Sequence, residues 1–180
     1  MPEGREEGGE GGGPTSPEHS EEYDVIVVGG GAAGIGVGIA LAHAGVQNFL
    51  IVDRGTVGSS FSSWPEETRF ITPSFPSNSI GMLDLNSIAI GISPAFSMRV
   101  EHPTGSEYAA HLQSLADFFE LPVSENTDVK SIENNDGVFH LETEGSTLLA
   151  NNVIWAAGEF LYPRLEGFDG SELCRHTATV

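Results

Sequence analysis

An α/β fold, a parallel sheet carrying an antiparallel β-excursion, is predicted by three features of this chain. Val25-Ile26-Val27-Val28 and Phe49-Leu50-Ile51-Val52 are unbroken apolar runs, the pattern of strands buried on both faces. An apolar helical pattern separates them, from about Ala32 to Ala44, with Ile35, Ile39 and Ala42 on one face and Gly45 as its stop. Further along, Asn135-Asp136-Gly137 lies between two strand-like segments, as the turn of a hairpin does.

The turn between the first strand and the helix carries chemistry. Gly29, Gly31 and Gly34 fit G-x-G-x-x-G, with a strand before and a helix after. The first glycine permits the tight turn, the second lets a pyrophosphate approach the backbone, and the third lets helix and strand pack closely. Phosphate would sit at the first helical turn, Ala32 and Ala33, where free N–H groups and the helix dipole favour an anion. Asp53 ends the second strand, 53 − 31 = 22 residues after Gly31, where a ribose-binding acid is expected. The pattern predicts a Rossmann-like dinucleotide-binding domain.

The span from Val25 to Val46 carries no Asp, Glu, Lys or Arg and is long enough to cross a bilayer. Seven glycines argue against one continuous helix there, since each costs about 1 kcal/mol relative to alanine. Gly34 and Gly38 instead read as a smooth helix face against the sheet.

Residues 1–20 are mostly Gly, Glu, Pro and Ser and are expected to form a disordered acidic tail, with the folded domain over 21–180. The net charge is −19; the acids through Glu22 and Arg5 account for −6, so the rest holds −19 + 6 = −13. Such a surface disfavours nucleic acid and anionic membranes. Lys130 is the only lysine, a composition that suits high salt. No basic-then-apolar leader is visible. Cys174 is the only cysteine, so no intramolecular disulfide or C-x-x-C pair exists within the 180 residues, and a cytoplasmic address fits. Cys174 is expected to be a small, partly buried residue.

The stretch from Gly55 to Asn86, with Trp64, Phe70 and Phe75, is too long for an idle connection and is expected to form an ordered cover. For Trp64 and Phe75, simple packing and cofactor contact are equally open. Thr104-Gly105-Ser106-Glu107 reads as a capping box. The following helix sets Tyr108, His111, Leu112, Leu115, Phe118 and Phe119 on one stripe, with His111 expected to be packed rather than catalytic. His102 shows no partner. Thr127 to Glu133 and Val138 to Leu141 read as hairpin strands, and Val153 to Gly158 as another buried strand ending in small residues. No G-x-S-x-G elbow and no zinc-spaced His/Cys cluster occurs. Any chemistry is expected to belong to a cofactor.

From Asp24 to Gly34, and again from Ile154 to Gly158, the chain resembles the flavin-dependent pyridine-nucleotide oxidoreductases, in particular their monooxygenase-like and thioredoxin-reductase-like branches. Trp64 to Asn86 resembles a flavin-proximal segment of that group. The resemblance implies FAD as cofactor, with NAD(P)H as electron donor to the full-length enzyme and a small-molecule substrate or electron acceptor. It puts Asp53 at the ribose, Arg54 and Trp64 at the cofactor, the Val129 backbone near adenine, and Ala157 and Gly158 near the pyrophosphate. Asp53 stands where the group usually has Glu, and Ala157 where it has Thr. No second G-x-G-x-x-G follows Gly34, so the resemblance implies the first part of a longer enzyme, without its nicotinamide domain. Two rivals stand beside this reading: an NAD(P)-binding dehydrogenase domain, since Asp53 suits either ribose, and a non-enzymatic dinucleotide-binding module.

Overall fold

The computed structural model describes residues 22–74, 84–160, 162, 164 and 167–175. The expected tail, Phe75 and the end of the chain lie outside them. The core element is β1 (Glu22–Val28), which runs through the middle of a six-stranded sheet. Its alternating residues divide the core. Val25 and Val27 face a layer that includes Ile35, Ile39, Ile51 and Leu112, while Ile26 and Val28 face Val52, Leu141 and Ala150. Burial on both faces is what the unbroken apolar run required.

Helix α1 (Ala32–His43) returns the chain so that β2 (Phe49–Val52) pairs parallel with β1. Its packing depends on missing side chains. A Cβ on Gly38 would stand 2.6 Å from the Ile51 Cδ1 methyl. The helix ends in a Schellman motif, with Gly45 at φ +80° and Val46 N–H donating to the Leu41 carbonyl at 3.0 Å.

Two short helices, α2 (Ser59–Ser62) and α3 (Pro94–Met98), lead to α4 (Gly105–Phe118). The capping box is present: the Glu107 N–H donates to the Thr104 hydroxyl at 3.2 Å, and the Thr104 N–H donates to the Glu107 carboxylate at 2.8 Å. That second bond, with a further one from the Thr104 hydroxyl, holds the Glu107 carboxyl below its usual range. Strand β3 (Val123–Ser124) pairs parallel with β2. Strands β4 (Ser131–Asn135) and β5 (Val138–Glu142) form the hairpin, turning at Asp136 and Gly137, both at positive φ. Strand β6 (Thr147–Trp155) is antiparallel to β5 and parallel to β1, giving the order β3-β2-β1-β6-β5-β4. Parallel sheet and antiparallel excursion are one continuous sheet.

Five local expectations are corrected. Pairing in the first hairpin strand begins at Ser131, because Thr127 is held by its N–H to the Asp53 carbonyl and its hydroxyl to Ser124. The final strand is one nine-residue element whose end is half-open: Trp155 is 63 % exposed, since its side chain borders a cleft. Phe118 is 73 % exposed, because ten residues at 100° per residue bring it about 80° off the Tyr108 direction. His102 has a partner, the Phe70 carbonyl at 2.8 Å from Nδ1. Cys174 is exposed, at the end of a surface 3-10 turn (Ser171–Leu173).

Candidate functional site

Register brings three strand ends to one level. Val28 lies opposite Val52 on one side and Trp155 on the other. The segments that leave β1, β2 and β6 therefore converge beyond the carboxyl ends of the strands, where open α/β sheets bind ligands. They enclose a cleft of about 340 Å³, bordered by Gly29, Gly31, Ala32, Ala33, Asp53, Arg54, Trp64, Val129, Ala157 and Gly158. Ten of the eleven sequence-predicted site residues thus share one cavity.

The eleventh, Gly34, lies behind the wall and shapes it. A Cβ there would stand 1.7 Å from the Gly29 carbonyl oxygen. Gly29 adopts φ +117°, and its own Cβ would come within 2.3 Å of the Ala156 carbonyl oxygen. Its N–H donates to the Val52 carbonyl at 2.8 Å, while the Ala156 N–H donates to the Val28 carbonyl at 2.7 Å. The turn is woven between the ends of β2 and β6. Gly31 differs. At φ −80° it needs no special conformation, and a Cβ would meet only the Ser60 Oγ, at 4.0 Å. Among the described residues, no contact excludes a Cβ at position 31. Gly31 is also the N-cap of α1, with no side-chain cap and no acid in the first turn. Of the orphan N–H groups of this twelve-residue helix, those of Gly31, Ala32 and Ala33 belong to residues that border the cleft.

Asp53 faces this turn. Its Oδ2 accepts from the Gly30 N–H at 2.6 Å and its Oδ1 from the Gly55 N–H at 2.7 Å. The loop after β2 is tied down again where the Gly58 N–H donates to the Gly30 carbonyl at 3.0 Å, and where the Val57 N–H donates to Glu125 at 2.8 Å. Arg54 points elsewhere: its guanidinium donates to the Tyr162 hydroxyl at 2.9 Å and lies 4.9 Å from that ring's centre. Beside Val129, Asp128 accepts from Lys130 at 2.6 Å.

One wall is aromatic. The Trp64 ring stands 5.2 Å from Phe70, 5.3 Å from Phe61 and 6.2 Å from Phe160. Phe61 and Phe70 in turn pack on Tyr108, at 4.9 and 4.5 Å. Trp64 therefore packs on the core and borders the cleft at once. Burial, and secondarily Asp84, push the Tyr108 phenol up to about 12. His111 lies farther along α4, 5 % exposed, with Nδ1 at 3.0 Å from the Ser97 hydroxyl and a buried Nε2 that has no partner among the described residues. It does not border the cleft.

Sequence reasoning missed Ser60, Phe61, Thr127, Trp155, Phe160 and Tyr162 as lining residues. Only Trp155 carried a signal, as the last strand residue before the small-residue turn. Among the described residues there is no cluster of three metal-binding side chains and no helix long and apolar enough to cross a membrane.

Comparison with known proteins agrees with this fold. The sequence pattern of the family described as pyridine nucleotide-disulphide oxidoreductase covers residues 26–180. The uncharacterized oxidoreductase CzcO of Bacillus velezensis is 31 % identical over 144 residues, which are 79 % of this chain and 38 % of that protein. The bacillithiol disulfide reductase Bdr of Staphylococcus aureus superposes with a TM-score of 0.69 at 19 % identity, over 85 % of this chain and 43 % of that one. A flavin monooxygenase from Stenotrophomonas maltophilia superposes at 0.60 with 21 % identity, over 75 % of this chain and 38 % of its own. The chain thus spans about two fifths of the length of such relatives. It belongs to the pyridine nucleotide-disulphide oxidoreductase family.

Proposed function

We propose that this chain supplies the FAD-binding part of an NAD(P)H-dependent, monooxygenase-like flavoprotein oxidoreductase. The observation that carries the reading is Gly31: the protein leaves the space beside it open, at an uncapped helix N-terminus, inside a cleft. That is the cradle a pyrophosphate requires. The cleft volume, about 340 Å³, falls at the low end of ligand pockets and suits the adenosine half of a dinucleotide. In this reading Gly31, Ala32 and Ala33 bind pyrophosphate, free carboxylate lone pairs of Asp53 accept from ribose hydroxyls, and Val129 and Arg54 flank the adenine end. Bound FAD supplies hydride and electron transfer. The residues described here bind and orient it, and Trp64 with Phe61 shields one side from water. A small-molecule electron acceptor fits, and the acidic surface argues against nucleic acid as a partner. The single cysteine suits a cytoplasmic setting.

Titration with FAD tests the reading. The 180-residue protein is expected to turn yellow, with absorbance near ~450 nm that survives gel filtration at least in part. Consumption of NADH or NADPH is expected to stay at the rate of free FAD, because only one phosphate turn of this kind occurs in the 180 residues. A colourless protein that binds NADH would favour a nicotinamide-binding dehydrogenase domain instead.

A further inference from the structure

We propose that Asp53 is a positioning residue for the phosphate-binding turn, in addition to the ribose contact assigned above; the ligand half of this inference rests on that assignment. The two oxygens of one carboxylate accept from Gly30 and Gly55, at 2.6 and 2.7 Å. Charge-assisted bonds of this length are the strong ones. The Gly30 carbonyl is held as well, by the Gly58 N–H at 3.0 Å. Gly30 is therefore gripped at both ends by the loop that follows β2.

The consequence falls on the next peptide. The Gly30 carbonyl and the Gly31 N–H belong to one peptide plane, and no cis bond occurs among the described residues. In a trans peptide the two groups point in opposite directions. A carbonyl fixed toward Gly58 thus fixes the Gly31 N–H away from that loop. Glycine is the residue that loses most conformational freedom on ordering, and Gly29-Gly30-Gly31 holds three in a row. Without an external clamp, the donors of this turn would have to be ordered by the ligand at the ligand's cost. Asp53 orders them beforehand, and it couples the ribose end of the cleft to its phosphate end through one side chain. Packing supports the same geometry: a Cβ on Gly30 would stand 3.2 Å from the Asp53 Cβ, so the two segments are already in contact.

The test uses the ¹⁵N-labelled 180-residue protein, wild type, Asp53→Asn and Asp53→Ala, with far-UV circular dichroism as the fold check. Two probes are titrated: ADP, which carries ribose, and inorganic pyrophosphate, which does not. Without ligand, the Gly30 and Gly55 amide protons are expected at low field and slow to exchange. Both variants should move these signals upfield and speed Gly30 exchange at least tenfold. Affinity for pyrophosphate should fall at least tenfold along with that for ADP. Gly30 exchange and pyrophosphate affinity unchanged in folded variants, with only ADP binding weakened, would overturn the positioning role and leave a ribose ligand alone. A wild-type protein that binds neither probe would overturn the dinucleotide reading of the cleft, and the positioning role toward phosphate with it. If Asp53→Ala does not fold, Asp53→Asn covers it, since it keeps side-chain shape while replacing the charged acceptor of both bonds with a neutral amide.

Discussion

Gly34 sits directly beneath the Gly29 carbonyl, so close that a Cβ on Gly34 would stand 1.7 Å from that oxygen. The obstacle is backbone of the phosphate turn, which cannot swing aside as a long side chain could. Gly34→Ala is therefore expected to destabilise the fold by ~3 kcal/mol or more, the upper end of overpacking effects. Urea unfolding followed by circular dichroism measures this. A loss below ~1 kcal/mol would show that the turn relaxes.

Gly31 gives the opposite pattern. Its Cβ space holds only the Ser60 Oγ at 4.0 Å, and its φ of −80° accepts any L residue. Gly31→Val is expected to fold with stability within about 1 kcal/mol of wild type, yet to lose FAD binding at least tenfold, because the new side chain occupies the pyrophosphate space. Flavin fluorescence titration beside a urea melt separates the two effects. Wild-type affinity in the folded variant would count against the site.

His111 makes stability depend on pH. Burial lowers its imidazole below the ordinary 6.5, with the Asp84 carboxylate pulling the other way. The unfolded chain therefore takes up a proton more readily than the folded one. Stability is full above about 6.5 and declines as pH falls through that value toward the depressed folded value. The urea midpoint should drop between pH 7.5 and pH 5.5, and His111→Gln should flatten that segment of the profile. An unchanged slope in the variant would assign the effect to other groups.

Salt should strengthen the fold. Residues 23–180 carry −13, and two ion pairs, Arg69–Glu107 and Lys130–Asp128, lie at the surface. Carboxylate repulsion is screened over about 10 Å at 0.1 M salt and about 3 Å at 1 M. Tm is expected to rise from low to molar KCl; a flat or falling Tm would contradict repulsion as the dominant charge effect.

Local sequence determined what local physics controls. The apolar runs fixed β1 and β2, the Gly45 stop and the Thr104 box fixed helix ends, and Asn135-Asp136-Gly137 fixed the hairpin turn. The three motif glycines were legible because strand, turn and helix constrain one another within about a dozen residues. Tertiary structure decided what distance along the chain conceals. It set β6 beside β1, which brought Trp155, Ala157 and Gly158 to the glycine turn across more than 120 residues. It exposed Phe118 and Cys174 and gave His102 a partner, since burial depends on what the rest of the chain lays over a residue. And it turned Asp53 toward Gly30 and Gly55: spacing marked the acid, but only the fold shows which N–H groups its two oxygens accept, because hydrogen bonds are made in space and not along the sequence.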